Sequence, residues 1–81
     1  MIDYKKLETM SLGQIYWFLL KTLPPTEYHI KPHICETCYE KYDVLFLDIS
    51  NLTRKKFYII TDTESLLYFL ISNNIKLKNR I

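Results

Sequence analysis

The sequence predicts an α+β domain: an N-terminal helix, a Cys/His-bearing loop or edge strand, an antiparallel β-hairpin, a C-terminal helix and a short final strand. Three observations lead there. Apolar residues recur at helical spacing between Ser11 and the Pro24-Pro25 pair, two β-rich runs flank the turn residues "NLTRK", and a second helical stripe follows Asp62 and Thr63. At 81 residues the chain amounts to one domain, residues 1–81, near the size at which a single core barely offsets chain entropy. An apolar fraction of 48% is ordinary for a globular protein and the chain is expected to fold, though domains this small often carry a staple.

The first helix is expected over Leu12 to Leu23. Ser11 is a good N-cap and Gln14, three residues on, completes a capping box; Met10 and Ile15 supply the hydrophobic staple. Leu12, Ile15, Tyr16, Leu19, Leu20 and Leu23 form its apolar face, and the two prolines end it. Residues 2–9 add a preceding turn of helix capped by Asp3. The following "EYHIKPHI" is broken by Pro32, which disfavours helix at Lys31, and reads as an edge strand or extended loop. Tyr42 to Ser50 places apolar side chains on both faces, as an interior strand does, and "KFYIITD" is the returning strand.

Asp62 or Thr63 caps the second helix, with Glu64 near the positive end of its dipole. Leu66, Leu67, Leu70 and Ile71 form its stripe, and "SNN" stops it because Asn tolerates a left-handed C-cap. In the tail, Ile75, Leu77 and Ile81 alternate with Lys76, Lys78 and Arg80, the period of a short strand.

Composition bears on origin and place. Phe, Tyr, Met, Ile, Asn and Lys, whose codons are A/T-rich, number 36, against six for Gly, Ala, Arg and Pro. That bias points to an A/T-rich genome and raises the weight of a phage or viral source. A net charge of +2 is far from the basic footprint of a dedicated nucleic-acid binder. Without a spanning apolar run or a signal-peptide pattern at the start, the expected location is the cytoplasm, that of a host cell if the protein is viral, with no membrane association.

The residues richest in chemistry are in "HIKPHICETC", which holds every His and Cys of the chain. Cys35-x2-Cys38 is the knuckle spacing that brings two thiolates to one zinc ion, and His29 and His33 complete a set of two thiolates and two imidazoles. With all four positions taken by protein, such a zinc is structural and staples a small core. The competing readings are small buried thiols with surface imidazoles, a redox pair lacking the usual strand-to-helix context, and an all-thiolate site shared by two chains. The pair resembles one half of a zinc ribbon or knuckle, a likeness of about ten residues without its second half, and it implies metal only.

No nucleophile-base signature flanks the cysteines, and a single glycine excludes a glycine-rich phosphate loop, so a non-enzymatic role is expected. Two patches speak to partners. Trp17 and Phe18 sit beside the first helix's stripe and Tyr68 and Phe69 beside the second's, which makes each helix apolar over more than one face and suggests a docking surface for a protein, a host protein included, or a homodimer seam. The plainer alternative has these rings wrapping the edges of a short sheet. "RKKFY" places Arg54, Lys55 and Lys56 ahead of Phe57 and Tyr58, a pattern that suits phosphate contact and base stacking, and equally a solvated turn that blocks aggregation. The expected function is a small protein-interaction module, with a zinc-containing nucleic-acid-binding regulator as the alternative and a Cys/His redox or hydrolytic enzyme third.

Overall fold

The computed structural model describes residues 2–35 and 43–78. Along the chain run β1 (Ile2–Asp3), α1 (Tyr4–Glu8), α2 (Leu12–Thr22), β2 (Tyr28–Ile34), β3 (Val44–Asn51), β4 (Lys56–Ile60), α3 (Thr63–Ser72) and β5 (Leu77–Lys78). The α+β class and its order of elements agree with the expectation.

Local chemistry sets the helix ends. Asp3 caps α1 by accepting from the Lys5 N–H. The capping box of α2 is closed in both directions: the Ser11 hydroxyl accepts from the Gln14 N–H at 3.3 Å, and the Gln14 amide oxygen accepts from the Ser11 N–H at 2.9 Å. Asp62, rather than Thr63, caps α3, its carboxylate accepting from the Ser65 N–H at 2.8 Å. Hydrogen bonds from the Ser65 N–H and then its hydroxyl hold the Asp62 carboxyl below its ordinary range. At the far end Asn74 has φ 58, and the Ile75 N–H donates back to the Leu70 carbonyl, the left-handed stop expected of "SNN".

The main sheet is antiparallel, in the order β2-β3-β4. Its registers pair Ile30 with Ile49, Pro32 with Leu47, Leu47 with Ile60 and Ile49 with Tyr58. Because side chains alternate along a strand, these residues share one face. α2 lies against β2 and β3 and α3 against β4, both on that inner face. Ile30, Leu47, Ile49 and Ile60 join Ile15, Leu19, Leu66, Phe69 and Leu70 in one buried cluster with Leu7, Leu23, Ile2 and Tyr4. β1 and β5 form a separate parallel pair, Ile2 opposite Leu77. Among the described residues of the tail, Leu77 and Lys78 are strand; Arg80 and Ile81 lie outside the described residues.

Asn51 is the buried polar residue of the core, 3% exposed at the end of β3. Its side-chain oxygen accepts from the N–H groups of Thr53 and Arg54 and from the Thr53 hydroxyl, which folds the four-residue turn back toward β4. Its amide donates to the Asn73 side chain, while Arg54 donates to the Ser72 carbonyl at 3.3 Å. The hairpin turn is thereby tied to the end of α3. Lys55 completes the turn at φ 54.

Both helices are rotated relative to the expected stripes. On α3 the buried residues are Leu66, Phe69 and Leu70, while Ile71 is 47% exposed. Phe69 is drawn inward by Tyr58 and Tyr28, whose rings meet it edge-on at 5.0 and 5.8 Å. Burial, and next the nearby Glu27 charge, pushes the Tyr28 phenol up. On α2, Ile15 and Leu19 are buried whereas Leu20 is 40% exposed.

Candidate functional site

The helices cover one face of the sheet, and the opposite, outer face is the candidate site. Period-two alternation places His29, Lys31 and His33 of β2, Phe46, Asp48 and Ser50 of β3, and Phe57 and Ile59 of β4 on it. Register orders them into rows: His29 opposite Ser50 opposite Phe57, and Lys31 opposite Asp48 opposite Ile59, with His33 opposite Phe46 beyond. Phe57 is 77% and Ile59 60% exposed, large apolar side chains that no described element covers.

At one end of this face His33 makes two side-chain contacts, with Phe46 and Asp48. The imidazole stacks on the Phe46 ring with centroids 4.2 Å apart and planes 17° from parallel. Its Nε2–H donates to Asp48 Oδ2 at 3.0 Å. One side chain thus lies flat on an aromatic ring with its polar edge held by a carboxylate, a partly solvated arrangement that fixes its rotamer. A bulge follows at once, between His33 and Ile34, where Ile34 pairs with Val44 and Leu45 is skipped.

Among the described residues the two histidines of the expected zinc set are not brought together. His29 and His33 are four residues apart on an extended strand, so their Cα atoms are about 13 Å apart, with Lys31 between them. His33 is committed to Phe46 and Asp48, and His29 faces solvent in the row of Ser50. Cys35 is half-buried, its N–H donating to the Asp43 carbonyl at 3.0 Å, and Cys38 lies outside the described residues. Among the described residues no three His, Cys, Asp or Glu side chains gather as a metal-binding group. The strand geometry of β2 separates donors whose sequence spacing suggested convergence.

The expected partner surface divides. Trp17 and Tyr68 are 63% and 68% exposed, and Phe18 is half-buried against the core. Phe69 is fully buried, so it belongs to the core and offers nothing to a partner. The basic residues, by contrast, meet one of these aromatics. Arg54, Lys56, Phe57, Tyr58, Tyr68 and Ser72 line a surface concavity of about 280 Å³ along the free edge of β4. Lys55 sits in the adjoining turn, outside that lining.

Sequence reasoning missed Lys31, Phe46, Asp48, Phe57 and Ile59 as members of one surface. The signal was present in the alternation of "HIKPHI" and in Asp48 and Ser50, polar residues on one side of β3. Set against models of known protein families, curated proteins and solved structures, the chain matches none. No helix among the described residues is long and apolar enough to cross a membrane.

Proposed function

We propose that this chain is a small non-enzymatic protein-interaction module that docks a partner protein on the outer face of its sheet. The observation that carries the reading is the exposure of Phe57 and Ile59 beside the His33–Phe46 stack on a face no described element covers. Phe57 and Ile59 along β4 and the Phe46 ring on β3, set beside Lys31, Asp48, Ser50 and the imidazoles, give the face the mixture of apolar and polar side chains found in interfaces. The A/T-rich composition supports a phage or viral setting, in which the partner is a protein of the host cell.

The test is capture from host-cell lysate by the wild-type chain, by an outer-face variant, Phe46→Ser, and by a helix variant, Trp17→Asp. A partner retained at high salt by the wild type and the helix variant and lost by Phe46→Ser supports the reading. Equal retention by Phe46→Ser, or no retained protein, contradicts it.

A second reading has its own observation: the concavity joins the cations Arg54 and Lys56 to the rings of Phe57, Tyr58 and Tyr68. That grouping suits a phosphate and an unpaired base. Binding of a single-stranded oligonucleotide that weakens steeply with salt and is lost in Arg54→Ala/Lys56→Ala supports it; the near-balanced net charge of +2 places it second.

A further inference from the structure

The two edges of the main sheet are guarded unequally. β2 carries Pro32, which has no N–H to offer and so discourages another strand from pairing, and its register with β3 is broken at His33/Ile34 by the extra residue Leu45 of β3. β4, the opposite edge, has neither: its five residues keep one unbroken register with β3, and among the described residues no strand pairs with its other side. The concavity lined by Arg54, Lys56, Phe57, Tyr58, Tyr68 and Ser72 runs beside that edge, between the strand and α3.

Charge is distributed along this edge with a direction. Arg54, Lys55 and Lys56 stand at the start of β4, and Asp62 and Glu64 follow its end. Two copies of such an edge laid antiparallel bring the basic end of each against the acidic end of the other. The register of fullest overlap over Lys56–Ile60 is centred on Tyr58. It sets Phe57 opposite Ile59 of the second copy, twice, on the outer face, and Arg54 opposite Asp62 just beyond the strands. A two-fold axis through Tyr58 makes the contact closed and self-complementary.

We infer that β4 is a self-association edge, through which a second copy of this chain extends the sheet to six strands by antiparallel β4-to-β4 pairing. The pairing supplies partners for the free backbone groups of β4 and shields Phe57 and Ile59 of both copies from one another's water. The outer faces of the two copies become one continuous surface. The inference goes beyond the docking proposal, since it concerns the edge and stands whatever occupies the face.

The experiment is sedimentation velocity of the full chain over a concentration series, followed by directed cross-linking. A reversible dimer is expected, weakened several-fold by Arg54→Glu, which sets like charge against Asp62 and Glu64, and left intact by Phe46→Ser, which disables the docking face. In a Cys35→Ser/Cys38→Ser background, mixing Phe57→Cys chains with Ile59→Cys chains should give an inter-chain disulfide. Either chain alone should give far less, because only directly opposed residues come within disulfide reach. A monomer at every concentration overturns the inference. So does a dimer indifferent to Arg54→Glu that cross-links no better in the mixture, which assigns the contact to another surface such as Trp17. An oligonucleotide that binds the concavity of the monomer while no dimer forms assigns this edge to nucleic acid instead.

Discussion

Ile59 and Ile60 are the same side chain on adjacent residues of β4, yet Ile59 is 60% exposed and Ile60 is 0% exposed. The pleat sends one to the outer face and the other beneath the helices. The same contrast holds across the sheet, between Phe57 and Tyr58 on β4 and between Asp48 and Ile49 on β3. In a chain of 81 residues the hydrophobic supply suffices to seal one face of a three-stranded sheet, and the apolar residues on the other face contribute little to folding. Burial and exposure are thus written on opposite sides of the same strands.

The comparison breaks most visibly at Leu47, fully buried at the centre of the inner face. Leu47→Ala is expected to lower the unfolding free energy by about 2–5 kcal/mol, as core truncations do. Urea unfolding measures it, and a loss below about 1 kcal/mol would place Leu47 outside a packed core. Next is Asn51→Ala, which strips the turn donors of Thr53 and Arg54 and the Asn73 contact of their partner. A cost of about 1–3 kcal/mol is expected, with the hairpin turn and the end of α3 losing amide protection together. If only the turn responds, the two are not tied.

Smaller effects come from the helix ends. Ser11→Ala should cost about 1 kcal/mol by opening the capping box of α2, seen as a lowered thermal midpoint. Asp62 adds a pH signature. Its carboxyl titrates below its ordinary range in the folded chain, so its contribution is complete above the unfolded value of about pH 4 and is lost as pH falls through the lower folded value. Asp62→Asn, which keeps a capping side chain, should therefore flatten the acid limb of stability against pH while changing little at neutral pH. An unchanged acid limb would remove Asp62 from that role.

Much of the fold was legible because its signals are local. The Ser11–Gln14 box, the Asp3 cap, the Pro24-Pro25 stop and the left-handed Asn74 each depend on neighbours within four residues, and the hairpin turn declares itself in "NLTRK". What was not legible depends on distant partners. β1 and β5 pair across nearly the whole chain, and nothing around Ile2 announces Leu77. α3 is apolar on several sides, so periodicity leaves its facing open; contact with Tyr28 and Tyr58 turns Phe69 inward and Ile71 out. β3 reads as apolar on both faces, and it is interior in the order of strands, but among the described residues the helices cover one of its faces. The histidines depend on distance in the same way: their spacing in sequence suits a zinc set, while the extended backbone of β2 holds the two of them apart, and Cys38 lies outside the described residues.

The most direct measurement is the pair of equilibrium unfolding curves for Ile59→Ala and Ile60→Ala, taken in dilute protein so that association does not contribute. Identical chemical deletions one residue apart isolate the effect of the face. Ile60→Ala is expected to cost about 2–5 kcal/mol, and Ile59→Ala to stay within about 0.5 kcal/mol of the wild type. Comparable losses in the two variants would mean that the outer face is covered in the folded protein, and would contradict the assignment of that face to a partner.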